Sequence, residues 1–212
     1  MKGIWFDGVH SYTDLNLILS KTEVPPAAVK TSYVDNPSGD GSWDLTEAHG
    51  KINYKNRECK FTFSVLPTDD FERKKTEVSN LLNGRKFKIV LDKDPDHFWE
   101  GRCSVNQYES SKMVRKIVVG ASVAPYKYKR QLTTVSASLS ETPKEVLLKN
   151  ARKVVSPTIN CTGEATIVAD GAEYTVGEGA HRILDFQLQE GTTPVTISGS
   201  GTVTFVYQEG DL

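Results

Sequence analysis

From Gln131 onward the chain repeats one device: a short run rich in Thr, Val, Ile and aromatic residues, then a break at Gly, Ser or Pro, then another run. The runs are TTVSASLS, EVLLKN, VVSPTIN, EATIVA, AEYTV, HRILDFQLQ, TPVTIS and TVTFVYQ. They return about every 8 to 12 residues, the spacing of an antiparallel β-sandwich. Asp170-Gly171 is a hairpin-turn signal, since both residue types tolerate positive φ, and Ser198–Gly201 is a second turn. A unit of about 80 residues built this way has two apolar inner faces and little else.

The first part reads differently. GIWFDGVHSY places Asp7-Gly8 between apolar residues, which predicts an opening hairpin. CKFTFSVL (59–66) puts Phe61, Phe63 and Val65 on one strand face, and RKFKIVLD (85–92) does the same with Phe87, Ile89 and Leu91. MVRKIVVGASV (113–123) is a third β-rich run. Between the first two lies TDDFERKKTEVSNLLNG. There Asp69 followed by Glu72 reads as a capping box, Phe71, Val78, Leu81 and Leu82 form an apolar stripe, and Gly84 sits where a left-handed C-terminal residue belongs. The composition changes around APYKYKRQ (124–131), after which no tryptophan occurs. The expected division is 1–127, a β-rich α+β domain with one helix, and 128–212, an antiparallel β-sandwich.

A chain of 212 residues supports two such cores. The formal net charge of −1 removes any dominant electrostatic attraction to duplex DNA. Three cysteines, Cys59, Cys103 and Cys161, lie far apart with no CxxC pair, which predicts free thiols and folding in a reducing cytoplasm. Asp7 interrupts the first residues before a signal-peptide core forms, and no run approaches the roughly 18 apolar residues of a membrane span. Synthesis in a cytoplasm and no membrane partner are therefore expected.

NPSGDGSWDLTE (36–47) imitates an EF-hand loop, with Asn36, Ser38, Asp40, Gly41 and Glu47 at the ligand and turn positions. The flanks read as strand and broken coil rather than helices, Pro37 restricts the wrapping, and Asn36 and Ser38 bring too little charge. The loop reads as a Gly-rich turn at Asp40-Gly41, with no metal. DKDPDHFWE (92–100) offers carboxylates at spacing two, but with Pro95 it reads as a solvated turn. His10, His49, His97 and His181 match no metal-ligand spacing and fall in different elements. No phosphate loop, nucleophile elbow or dinucleotide fingerprint is present. Trp5, Trp43 and Trp99 suit a sugar-stacking platform, or equally a core or a subunit interface. Neither a catalytic site nor a cofactor is expected.

Three segments resemble the distal tail proteins (Dit family) of long-tailed bacteriophages that infect Gram-positive bacteria. GIWFDGVHSYTDLNLIL is similar to that family's opening hairpin. NPSGDGSWDLTE resembles its Pro/Gly/Asp-Gly loop, although Ser38 and Gly39 stand where many members have Gly after Pro and Arg before Asp. ILDFQLQEGTTPVTISGSGTVTFVYQEGDL is similar to its closing strands and Gly-rich turn. The likeness runs through the whole chain in order.

The resemblance implies an N-terminal domain that closes into a homo-hexameric ring and a galectin-like C-terminal sandwich. It implies a non-enzymatic hub in a phage, or prophage tail-like particle, joining the tail tube protein to the baseplate and adhesion proteins, with DNA passing through the bore unbound. The expected subunit contacts are Trp5 and Phe6 of the opening hairpin and Pro37, Gly39, Asp40, Gly41 and Trp43 of the loop, because open strand edges pair with neighbours unless blocked. Two alternatives stand beside it: a carbohydrate-binding module that contacts the bacterial wall, and an enzyme whose site assembles from distant residues.

Overall fold

The computed structural model describes residues 3–48, 50–66, 70–111 and 114–212. His49, Asp69 and Met113 lie outside the described residues. The chain is mainly β with one α-helix among the described residues, and no described helix is long and apolar enough to cross a membrane. It divides into two compact units, Met1–Lys127 and Tyr128–Leu212.

The strands of the first unit are β1 (Ile4–Phe6), β2 (Val9–His10), β3 (Leu17–Glu23), β4 (Tyr33–Asp35), β5 (Ser42–Asp44), β6 (Arg57–Val65), β7 (Lys86–Leu91), β8 (Asp94–Ser110) and β9 (Arg115–Val123), with helix α1 (Phe71–Leu82) between β6 and β7. The main sheet runs β2-β1-β7-β8-β9-β6-β3, and its registered pairs are antiparallel. Alternation decides which face is buried. Cys59, Phe61, Phe63 and Val65 of β6 point the same way as Ile117, Val119, Ala121 and Val123 of β9 and Phe87, Ile89 and Leu91 of β7, and all are buried. In a flat sheet, β1 and β6 would lie four strand spacings apart, about 19 Å. Yet the Phe6 and Phe63 rings are 6.5 Å apart. The sheet therefore curls until its two ends share one core. Bulges between Ile89 and Leu91 and between Val105 and Gln107 supply local bending on β7 and β8.

Helix α1 lays Phe71, Val78 and Leu82 on that core, with Leu81 half-buried. The sequence reading placed the N-cap at Asp69. The cap is Asp70, one residue later, whose Oδ1 accepts from the amides of Glu72 (3.0 Å) and Arg73 (3.2 Å). Gly84, with φ +76°, ends the helical segment as expected.

The strands of the second unit are β11 (Thr133–Ser138), β12 (Lys144–Asn150), β13 (Thr158–Cys161), β14 (Ala165–Ala169), β15 (Ala172–Val176), β16 (Gly179–Arg182), β17 (Gly191–Gly199), β18 (Thr202–Tyr207) and β19 (Gly210–Asp211). The short strand β10 (Lys127–Lys129) carries the chain from one unit to the next. Two four-stranded sheets, β11-β18-β13-β16 and β12-β17-β14-β15, form the second unit. Their inner faces meet in one core around Leu148, Ile159, Ile167, Val195, Phe205 and Tyr207. This is a sandwich. Asp170 and Gly171 take φ +50° and +79° at the β14–β15 turn, as their sequence signal requires. The run HRILDFQLQ departs from expectation. Strand β16 stops at Arg182, and the rest is an irregular connection from which Phe186 and Leu188 drop into the core.

Candidate functional site: an exposed arm on the first unit

Residues 24–56 leave the main sheet after β3 and return at β6. They form an arm. At its root, Val29 and Tyr54 form an antiparallel bridge, with Lys55 N donating to Ala28 O (2.7 Å) and Lys30 N to Asn53 O (2.8 Å). Beyond it, Leu45 N donates to Ser32 O (2.8 Å), and β4 and β5 pair as Tyr33–Asp44, Val34–Trp43 and Asp35–Ser42. This hairpin is a separate two-stranded sheet, and every residue of β4 and β5 is exposed. Tyr33 (60% exposed), Trp43 (55%), Val34 and Leu45 stand in solvent. Among the described residues no further strand pairs with it, and a lone two-stranded hairpin is marginal in water. Exposed apolar side chains grouped on one make it a candidate interaction surface.

The loop that imitates a calcium site is the tip of this arm, flanked by strands and not by helices. Asn36 Oδ1 accepts from Ser38 N (3.1 Å), which closes an Asx turn, and Asn36 N donates to Gly41 O (3.2 Å). Gly41 takes φ +81°. Ser42 Oγ donates to Asp35 Oδ1 (3.0 Å), tying the two strands together below the loop. Among the described residues, no three His, Cys, Asp or Glu side chains gather as a metal site.

The arm holds Pro37, Gly39, Asp40, Gly41 and Trp43 together. It does not bring Trp5 and Phe6 to them. Phe6 is fully buried in its own chain and packs its ring on Phe63 and Phe87. Trp5 is 40% exposed but belongs to a different cluster. Its ring stacks on His10 at 4.5 Å, and its indole N–H donates to Asp92 Oδ1 (3.0 Å).

Asp92 is the node of that cluster and corrects a sequence expectation. DKDPDHFWE does turn at Asp92-Lys93 and Asp96 is exposed, but Asp92 and Asp94 are half-buried and hydrogen-bonded. Asp92 Oδ2 accepts from Gly3 N (2.6 Å) and contacts His10 Nε2 (3.2 Å). Burial by itself raises the Asp92 pKa. The Gly3 amide, the His10 ring and the Trp5 indole outweigh burial and hold it below the ordinary carboxylate value. Asp94 behaves alike: burial opposes ionisation, while His97 (2.6 Å) and Lys127 (2.9 Å) win and lower it. Pro95 lies inside β8 instead of ending it. Thr13 N donates to His10 Nδ1 (3.3 Å), and the other ring nitrogen, Nε2, faces Asp92. This is a brace for the opening hairpin. No local spacing betrays it, because Gly3, His10 and Asp92 are separated by up to 89 positions.

The cysteines are buried thiols in the described structure. Burial pushes Cys59 up to about 11 and Cys103 up to about 12, which leaves them poor nucleophiles.

No protein-family model and no curated protein matches the sequence. Among solved structures, the fold is similar to that of the SPP1 Dit (gp 19.1) protein, described as a paradigm of the hub adsorption apparatus in phages that infect Gram-positive bacteria. The TM-score is 0.69, and the alignment covers 98% of this chain and 99% of that one at 15% sequence identity. At this identity the likeness establishes a shared fold across both units.

Proposed function

We propose that the chain is a structural hub of a phage, or prophage tail-like particle, tail tip. Six copies close into a ring through the first unit. The ring joins the tail tube protein to the baseplate and adhesion proteins, and it has no catalytic role. The observation that carries this reading is the likeness to the SPP1 Dit protein, which extends over both units in one alignment.

The arm supports it physically. An apolar, solvent-exposed hairpin that leaves its own core needs a partner, and a second copy supplies one. A contact between two different patches, arm on one copy and body on the next, is heterologous, and heterologous contacts close into rings when the rotation allows. The near-zero net charge suits a bore through which DNA slides, because a strongly basic lining would hold phosphates by counterion release. The second unit is read as the galectin-like domain of the resemblance.

The test is solution mass by sedimentation and light scattering over a wide concentration range, followed by negative-stain imaging. The expected result is a six-subunit species, or smaller arcs that grow to it on concentration, seen as annuli. A monomer at every concentration, also when mixed with tail tube and baseplate components, overturns the ring. Wall-polysaccharide binding by such a monomer would move the assignment to a carbohydrate-binding module.

A further inference from the structure

The first residue of β6, Arg57, is only 7% exposed. Among the described residues no carboxylate lies within ion-pair distance of it. Its Nε donates to Pro125 O at 2.7 Å and its Nη1 to Pro25 O at 3.4 Å, while Nη2 is buried and unpartnered. A guanidinium stays charged in a protein, and burying one without a counter-ion is costly. Burial lowers the Arg57 pKa, as the desolvation of an unpaired cation should. An apolar residue at this point would avoid that cost but could make neither hydrogen bond.

The two acceptors say what that is. Pro25 is where the arm leaves the sheet. Pro125 is where the chain leaves the first unit after β9. Neither Pro25 nor Pro125 lies in a strand, so their carbonyls need another donor. The planar fork of one arginine reaches both. A second contact joins the same two places: the Tyr54 ring, on the returning limb of the arm, meets Tyr126 edge-on at 5.9 Å. The exit stretch is itself anchored, by Ala124 N donating to Glu100 O (2.9 Å) and by Lys127 Nζ on Asp94 (2.9 Å).

We infer that Arg57, with the Tyr54–Tyr126 contact, is a latch that fixes the root of the arm to the exit stretch 124–127 so that the two move as one body. Resting on the arm as the subunit contact, the inference adds a route: a load on the arm reaches the stretch that leads out of the unit. The fork is the essential part. Lysine keeps the charge but cannot span both carbonyls.

Amide hydrogen exchange on the full chain tests it, with three amides as reporters: Lys30 and Lys55 at the arm root and Ala124 at the exit. In Arg57→Met all three should exchange at least tenfold faster, while amides of the β6–β9 ladder keep their protection. Arg57→Lys should resemble Arg57→Met. Acceleration at the arm root with Ala124 unchanged would sink the coupling, and so would full protection in Arg57→Lys. Should Arg57→Met fail to fold, Tyr126→Ala probes the latch from the other side. It should speed exchange at Lys30 and Lys55, in an element it does not belong to, and unchanged protection there overturns the inference. Solution mass is read in parallel. A monomeric native chain counts against the ring alone, and the exchange pattern decides the latch in either case.

Discussion

Replacing Trp43 by Ala separates the arm as a binding element from the arm as part of the fold. Trp43 sits opposite Val34 on the hairpin and keeps 55% of its surface in solvent. A tryptophan offers roughly 250 Å², so about 130 Å² awaits a partner. At about 25 cal/mol per Å² this amounts to roughly 3 kcal/mol per contact, or about a hundredfold in the dissociation constant of each interface. Inside its own chain the same side chain does little, and a surface substitution of this kind changes stability by about 0.5 kcal/mol or less. Sedimentation velocity over a concentration series reads the first quantity, and thermal melting by circular dichroism reads the second. The expected pattern is a shift of assembly to much higher concentration with an unmoved melting midpoint. If assembly is unaffected, the apolar face of the arm is not a contact. If the midpoint falls by many degrees, the arm supports its own chain and the premise of an unpartnered hairpin is mistaken.

Other consequences are independent of assembly. Asp92→Asn should cost about 1 to 3 kcal/mol at pH 7, because the part-buried donors of Gly3 and His10 and the indole of Trp5 lose a charged acceptor. The folded-state pKa values of Asp92, Asp94 and Glu209 are all lowered, so their contribution is present above the unfolded carboxylate value, about 4, and is lost as pH falls through the folded values. Melts at pH 7 and pH 3 should therefore show the Asp92→Asn penalty shrinking in acid. Cys59, Cys103 and Cys161 should resist iodoacetamide at pH 8 in the native state and all react in denaturant, and rapid native labelling of any of them would contradict their burial. Gly199→Ala should destabilise the second unit by at least about 2 kcal/mol, since φ is +129° and a Cβ would run into the Glu164 carbonyl. Tryptophan fluorescence isolates this effect, because Trp5, Trp43 and Trp99 all lie in the first unit. The fluorescence midpoint should stay while the circular-dichroism transition splits.

Where a residue's role is fixed by its neighbours in sequence, the chain is readable. The alternation of β6 and β7, the paired positive-φ residues at Asp7-Gly8 and Asp170-Gly171, and Gly84 after the helix are local matters of sterics and period, and each appears where its pattern places it. The cap moved from Asp69 to Asp70 because two adjacent aspartates compete for one role, and only packing of the following turn selects between them. HRILDFQLQ looked like a strand because its apolar spacing suits one, but Phe186 and Leu188 reach the core from an irregular path that no period encodes. The arm's tip was visible as a turn. Its standing away from the core was not, since exposure depends on what fails to pack against it. Asp92 and Arg57 were invisible for the same reason: their partners lie 82 to 89 and 32 to 68 positions away.

The order of strands in the second unit bears on when the protein becomes whole during its synthesis. Strand β18 is the inner strand between β11 and β13, and it brings Val203, Phe205 and Tyr207 to the core. Until the ribosome has made residues 202–207, β11 has no partner strand in that sheet and the sandwich is open. The first unit meets no such delay, as its strands are all complete before the second unit begins. A nascent chain thus folds its first unit early and its second only after β18 has been translated. Chains cut short before β18 would carry a finished first unit attached to an exposed apolar sheet, a form that quality-control proteases recognise. Translation through β18 is in this way a condition for a closed second unit, enforced by the position of one strand.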